Sequence, residues 1–477
     1  MSNVLRNIPS VNELLESPPL RKLIDRASRN VVVTGVRSFL ENLREEVQNA
    51  TADIKLPAPS ELAERIADWI TTETLANLRP VINATGIILH TGLGRAPLAD
   101  AAVHALVDIA GNYASLEVDV ETGQRTERMR DAERLLRKIT GAEAAAVVNN
   151  NAGATLLTLA ALAAGREVIV SRGQLVEIGG SYRLPDVMEF SGAKLREVGT
   201  TNKTRSDDYR AAIRPETAAL MRVHSSNYSI VGFTEQASLA ELVELGGQRN
   251  LPVIDDIGSG ALEDFTVYGI TGEPQATASI KAGADVVLFS GDKLLGGPQC
   301  GLIVGRRSLL QKITAHPLMR ALRVDKLTLA ALLATLQLHQ DREVAERSVP
   351  VLMLLSTPLA NLQNRAERLA PQLAACPSIA SAEAVAGHTY LGGGSVPGQE
   401  LPTWCIALES AHGGVDGLAA ALRIGAPSVF GRIQKDRLLL DLRTVFPRQD
   451  LQLVQAVQQL SGSTPDSGGD LPAALQP

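Results

Sequence analysis

Residues 290–299 read Ser290-Gly291-Asp292-Lys293-Leu294-Leu295-Gly296-Gly297-Pro298-Gln299, directly after Asp285-Val286-Val287-Leu288-Phe289. The apolar run predicts a buried strand. A lysine between small residues, just past a strand end, is a place where an enzyme forms a Schiff base with an aldehyde cofactor. Desolvation lowers the amine's pKa, so the neutral form attacks. Glycine lets the backbone approach a ligand closely, because no Cβ intervenes. A surface turn carrying a solvated lysine would read the same way, and the rest of the chain has to decide between the two.

On both sides of this stretch, strand and helix signals alternate. Val81 to His90 leads into Thr91-Gly92-Leu93-Gly94-Arg95. Strands are expected at Ala145–Val148, Glu167–Ser171, Leu195–Val198, Ala219–His224, Val253–Asp256, Val286–Phe289 and Leu302–Val304, with helices such as Ala237–Arg249 between them. This alternation predicts an α/β domain over residues 79–325, with a mostly parallel sheet, helical cover, and ligands at the carboxyl ends of the strands. A long helix from Lys326 to Ser348, a second over Asn361–Ala375, strand-like Thr403–Leu408 and Leu438–Asp441, and a closing helix near Asp450–Leu460 predict a smaller α+β domain over 326–460. Residues 461–477 are rich in Ser, Gly and Pro and read as a disordered tail.

Residues 1–78 are different in texture. Leu14, Leu15, Leu20, Leu23 and Ile24, then Val36, Phe39, Leu40 and Leu43, then Leu62, Ile66 and Ile70 repeat with helical spacing. Pro57-Ala58-Pro59-Ser60 breaks the pattern, with Ser60 as an expected N-cap. Lys22, Arg26 and Arg29 fall at i, i+4 and i+7. They form either a solvated face or one that contacts phosphates.

The 477 residues carry a formal net charge of -6, with 45% hydrophobic and 21% charged residues. That balance is ordinary for a soluble protein and argues against a wholly basic nucleic-acid binder, while leaving room for a local basic patch. Cys300, Cys376 and Cys405 are too far apart for a metal pattern or a disulfide framework, which makes a reducing cytoplasmic setting the default. No apolar run reaches membrane-spanning length.

Four post-strand loops each supply part of one cofactor site. Asn150-Asn151-Ala152-Gly153-Ala154-Thr155 opens a helix, and free N–H groups there make an anion seat; an ordinary Asn-rich cap reads alike. In Ile254-Asp255-Asp256-Ile257-Gly258-Ser259-Gly260, a carboxylate at a strand end can hold a pyridine nitrogen protonated. Either aspartate qualifies, because neighbouring strand side chains face opposite ways. His224-Ser225-Ser226-Asn227 offers hydrogen bonds to a cofactor's phenolic oxygen and to substrate. The fourth loop holds Lys293. The order phosphate seat, Asp, Lys fits fold-type I pyridoxal-phosphate enzymes. Arg95, the cluster Arg125, Arg128 and Arg130, and the pair Arg320 and Arg323 suit an oxyanion held by guanidinium groups, or else salt bridges and subunit contacts.

At these residues the chain resembles the bacterial L-seryl-tRNA(Sec) selenium transferases, the selenocysteine synthases. The matching stretches are NATGIILHTGLGRA (83–96), VVNNNAGA (147–154), SRGQLVEIGGSYRLPDVM (171–188), EVGTTNKT (197–204), VHSSNYSIVGF (223–233), DIGSG (256–260), SGDKLLGGPQ (290–299) and HPLMRALR (316–323). The resemblance runs from the N-terminal helices to about residue 445. It implies pyridoxal 5'-phosphate on Lys293 and Asp256, rather than Asp255, as the pyridine partner. Asn151, Ala152, Gly153, Ala154, Asn227 and Ser290 are implied to surround the cofactor. Asp292, Arg95, Arg128, Arg320 and Arg323 are implied to line the active site, the arginines handling selenophosphate. Thr200 and Thr201 match further substrate-binding positions. The N-terminal domain, with Lys22, Arg26 and Arg29, is implied to grip tRNA(Sec), and the assembly to be a homodecamer of five dimers with sites shared across dimer interfaces. Gly92 stands where the family usually has Asn, and Gly153 where Ala is common.

The implied reaction converts serine esterified to tRNA(Sec) into selenocysteine. The freed Lys293 removes the α-proton, the β-hydroxyl leaves to give an aminoacrylyl-tRNA, and selenium adds. Two other readings compete with it. One is a related lyase acting on a free amino acid or amino sugar acid, although such relatives generally lack an N-terminal helical domain. The other is a catalytically silent tRNA-binding protein, against which Lys293, Asp256 and the arginines speak.

Overall fold

The structure, a computed structural model, describes residues 8–24, 29–49, 57–74, 78–179, 182–392 and 395–462. The disordered tail expected over 461–477 lies, from residue 463 on, outside them. Contacts divide the chain into two compact units, Met1–Pro80 and Val81–Pro477.

In the first unit, helices run over Val11–Leu15, Pro18–Ile24, Arg29–Asn49 and Pro59–Thr74. The apolar stripes meet in one core built from Leu14, Leu20, Val36, Leu40, Leu62, Ile66 and Ile70. Phe39 and Trp69 add an edge-to-face contact at 5.8 Å. The last helix begins at Pro59, so Ser60 lies inside its first turn instead of capping it. Proline is at ease there, because a first-turn N–H has no intrahelical acceptor to lose. Lys22 and Arg29 are exposed but lie on different helices, and Arg26 falls outside the described residues.

The second unit is built on a seven-stranded sheet: β1 (Ala144–Val148), β2 (Glu167–Ser171), β3 (Lys194–Val198), β4 (Thr217–Val223), β5 (Val253–Gly258), β6 (Val286–Ser290) and β7 (Gly301–Gly305). Their spatial order is β1-β7-β6-β5-β4-β2-β3, and only β7 runs antiparallel to its neighbours. All five residues of β6 are buried. Val287 and Phe289 enter one core, while Val286 and Leu288 enter the core on the opposite face. The two-residue period of a strand thus explains why a continuous apolar run was required. Each such side chain contributes about 1.5–3 kcal/mol by its burial.

A five-stranded sheet follows in space, ordered Arg432–Gln434, Arg437–Asp441, Ser395–Ser410, Ile379–Gly392 and Ile87–Leu89. The segment before the Thr91 turn is therefore an edge strand of this smaller sheet, paired in parallel with Tyr390 and Gly392, and it does not belong to the large one. The long helix expected over Lys326–Ser348 is two helices, Lys326–Leu338 and Arg342–Ser348. The break has a local cause: Asp341 caps the second helix by accepting from the amides of Glu343 and Val344, an alternative that competes with continuous helix.

The loop after β6 is tightly closed. Gly291 N donates to Cys300 O at 2.9 Å, Gly297 N to Gly291 O at 2.9 Å, and Leu294 N to Ser259 O at 2.9 Å. Gly296 sits at φ +69°, and a Cβ there would stand 2.3 Å from Val349 Cγ1. Gly296→Ala is expected to destabilise the full-length protein by about 2–5 kcal/mol, summing left-handed strain and overpacking. Chemical denaturation reads this directly; an unchanged midpoint would show that the loop relaxes.

Candidate active site

Because β1, β4, β5 and β6 are mutually parallel, their carboxyl ends share one edge of the sheet. There they line a cavity of about 280 Å³ that contains Arg95, Asn150, Asn151, Ala152, Tyr182, His224, Ser226, Asp256, Ser290 and Lys293. This is the crevice such sheets use for ligands.

The two aspartates of β5 part company. Asp255 stands opposite Arg222 on β4 and accepts a two-pronged pair from it at 2.7 and 2.8 Å. Asp256 faces the other way into the cavity. Its Oδ1 accepts from Asn151 Nδ2 at 2.9 Å and its Oδ2 from Thr155 Oγ1 at 2.9 Å. Burial pushes the Asp256 carboxyl up, while these two hydrogen bonds and Lys293 pull it back. The start of helix Asn151–Ala163 is thereby latched to β5. Asn150 caps that helix, accepting from Gly153 N at 2.7 Å. First-turn amides of any helix lack an intrahelical acceptor, so this end can seat an anion.

Lys293 is 5% exposed. Burial, then the nearby Arg95 guanidinium, lower its amine from the ordinary lysine range; Asp292, Asp256 and Glu273 oppose them. Arg95 Nη1 donates to Asp292 Oδ2 at 2.8 Å. Arg95 itself adopts φ +63°, an uncommon conformation for a non-glycine residue, held by its amide bonding His90 O at 3.0 Å. Backbone strain of this kind persists where the surroundings over-determine it.

The other expected site residues are placed differently. Gly153 and Ala154 sit behind the cavity, with Ala154 fully buried in the core of the sheet. A Cβ on Gly153 would meet Asn149 Oδ1 at 3.1 Å and Leu322 Cδ2 at 3.2 Å, whereas one on Gly92 meets only the His90 ring. Asn227 donates to Glu177 O at 2.7 Å and does not line the cavity. Thr200 and Thr201 are exposed on the turn after β3. Arg128 is held by Glu117, at 2.9 Å, and by Val324 O. Arg125 pairs with the same Glu117, and Arg323 lies 3.8 Å from it. Arg130 pairs with Asp119 instead. Arg320 is exposed on the short helix Leu318–Ala321 and has no ion pair among the described residues. Leu322 O accepts from Asn149 N, so the Arg320–Arg323 segment packs against the anion seat. Tyr182 and Gln299, which also line the cavity, carry no chemical signature of their own in the sequence.

Comparison with known proteins completes the picture. Residues 81–446 match the family model described as L-seryl-tRNA selenium transferase, and residues 5–44 match one described as selenocysteine synthase N terminal. The chain belongs to the L-seryl-tRNA selenium transferase family. It is similar to the L-seryl-tRNA(Sec) selenium transferase of Moorella thermoacetica, 49% identical over 97% of this chain and 98% of that one. Its counterpart in Carboxydothermus hydrogenoformans is 45% identical over 94% and 96%. Among solved structures, D-glucosaminate-6-phosphate ammonia-lyase aligns with a TM-score of 0.57 and 21% identity, covering 82% of this chain and 98% of that chain. That likeness shows the fold alone, which is that of fold-type I pyridoxal-phosphate enzymes.

Membership of the selenium transferase family makes this a pyridoxal-phosphate-dependent transferase, and the cavity fits that group. Asn151 Oδ1 and Ser226 Oγ are buried there without a hydrogen-bond partner. Buried polar atoms are rarely left so unless something completes them. The donor set is also right: a buried amine, a buried carboxylate on the next strand, and a helix start for a phosphate.

Proposed function

We propose that this protein converts seryl-tRNA(Sec) to selenocysteinyl-tRNA(Sec) with selenophosphate as selenium donor. The observation that carries the reading is Lys293, in the loop that follows one strand, and Asp256, on the adjacent parallel strand, lining one cavity, within a chain of this family. Bound pyridoxal phosphate supplies an electron sink that makes the serine α-proton acidic and the β-hydroxyl expellable.

The chain's residues do the rest. Lys293 would carry the cofactor and, once displaced by the seryl amine, take the α-proton at Nζ. Its burial beside Arg95 keeps a neutral amine accessible, as a general base requires. Asp256, oriented by Asn151 and Thr155, would hold the ring nitrogen protonated, and that positive partner offsets the cost of burying its charge. Asn150, Asn151 and Ala152 would seat the phosphate, with Ser290 beside Lys293 on the cavity wall. Asp292 fixes Arg95 at the cavity rim, so that the guanidinium meets an incoming anion without reorganising. Arg128, Arg320 and Arg323, close to the same strand ends, would hold the selenophosphate.

Thr200, Thr201 and Asn227 stand outside this chain's own cavity, which suits a site completed by another subunit. Large apolar side chains lie bare on the same unit: Tyr113, Val120, Phe190, Val231 and Phe233 are each at least 80% exposed. Apolar and aromatic side chains such as these are what a subunit interface covers, in keeping with a homo-oligomer, for which a decamer of five dimers is the proposed form. Lys22, Arg26 and Arg29 of the N-terminal unit would contact tRNA phosphates. No described helix is long and apolar enough to cross a membrane, and a cytoplasmic location is proposed.

The test is to supply purified protein with selenophosphate and either seryl-tRNA(Sec) or free serine. Selenocysteine is expected on the tRNA alone; product on free serine but not on the tRNA would overturn the reading.

A further inference from the structure

Behind the part of the cavity wall formed by His224 lies a buried acid that none of these roles uses. Glu273 falls between the 3₁₀ turn Phe265–Tyr268 and the helix Ala276–Lys281. Its side chain is 2% exposed, and Oε2 stands 3.8 Å from His224 Nε2. Neither Glu273 oxygen has a hydrogen-bond partner, nor has His224 Nε2 or Ser259 Oγ. The contact is not an ion pair. Burial holds the imidazole down at about 4, with Arg222 and Lys293 acting the same way and Asp255 against them. Burial likewise pushes the Glu273 carboxyl up to about 7, opposed by Ser259 and Lys293. The charged groups facing the pair are therefore Arg222, Asp255 and Lys293, with Asp256 in the same cavity.

We propose that Glu273 is a positioning residue of this site: as the neutral acid it donates a hydrogen bond to His224 Nε2, fixing the imidazole's tautomer and keeping the wall beside Lys293 uncharged. A side-chain rotation would close the 3.8 Å gap, and the Ser259 hydroxyl would then donate to the other carboxyl oxygen. One proton arrangement partners all four orphaned atoms, where an unpartnered buried charge would be costly. When the acid ionises, a carboxylate appears behind the imidazole and stabilises positive charge at Lys293. The proposal rests on Lys293 carrying the cofactor.

Glu273→Gln in the full-length protein keeps the shape and a donor but cannot ionise. The sign follows from the folded pKa lying above the ordinary 4.5. The stabilisation is complete below that value and lost as pH rises through about 7. In cofactor-free protein, the melting temperature of E273Q relative to wild type should therefore climb between about pH 5 and pH 8. Parallel pH dependence would overturn the neutral acid. This melt does not involve the cofactor, so its outcome is separable from any failure of the Lys293 assignment. In cofactor-loaded protein, E273Q should move the pH midpoint of the visible absorbance downward, and the shift should shrink in a His224→Gln background. An undiminished shift would overturn action through His224. Should E273Q not fold, Glu273→Asp, which retains a titrating carboxyl, must keep the wild-type pH slope; its loss overturns the proposal.

Discussion

Lys293→Ala is expected to abolish the visible absorbance of the lysine-bound cofactor and to lower turnover by at least about a thousandfold. One side chain is being asked for two tasks, covalent attachment and proton transfer, and the second alone is typically worth 10²–10⁴. The fold should not suffer. Lys293 is 5% exposed, and burial disfavours its charged form, so truncation removes a desolvation cost along with the amine. A melting temperature equal to or above that of wild type, together with a lost band, is the expected pattern, as where stability has been exchanged for function. An intact band in the mutant would sink the assignment.

The two neighbouring aspartates should fail in opposite ways. Asp256→Asn keeps the size of a side chain gripped by Asn151 and Thr155 but removes the charge that would hold the ring nitrogen protonated. A fall in kcat on the order of 10²–10³ is expected, the scale of removing one preorganised electrostatic contact, with a small change in stability. Asp255→Asn touches no cavity atom. It strips the partner from Arg222, whose side chain is 23% exposed while Asp255 is fully buried. Breaking a buried pair costs about 3–5 kcal/mol, so the variant should melt many degrees lower while its folded fraction turns over near the wild-type rate. Kinetics and thermal melts on the two variants decide this, and exchanged phenotypes would reverse the roles assigned here.

Much of this was legible in the residues. The unbroken apolar run before Ser290 requires a strand covered on both faces, and a sheet built of such strands is a mostly parallel one. The succession of an Asn-rich helix start, an aspartate and a lysine, each after a strand, places three chemical groups at one edge, because parallel strands present their carboxyl ends together. Local alternation and chain order suffice for that much.

What the chain order does not contain is which way a side chain faces and what lies opposite it. Asp255 and Asp256 are equivalent as letters; register against Arg222 on one face and against the Asn151–Ala163 helix on the other separates them. Ile87–Leu89 reads as the start of the large domain, yet pairs with a strand some three hundred residues later, a non-local contact with no local signature. Arg128 reads as an oxyanion ligand, and its pairing with Glu117 has no signal in the sequence. Glu273 has no motif around it at all, and becomes conspicuous only when folding buries its carboxyl beside an imidazole and leaves both without a partner. The sequence by itself determined the fold class and the family, and singled out Lys293 as the candidate cofactor lysine. Only the tertiary structure decided the orientation of each acid, since burial and partnership arise from segments distant in the chain.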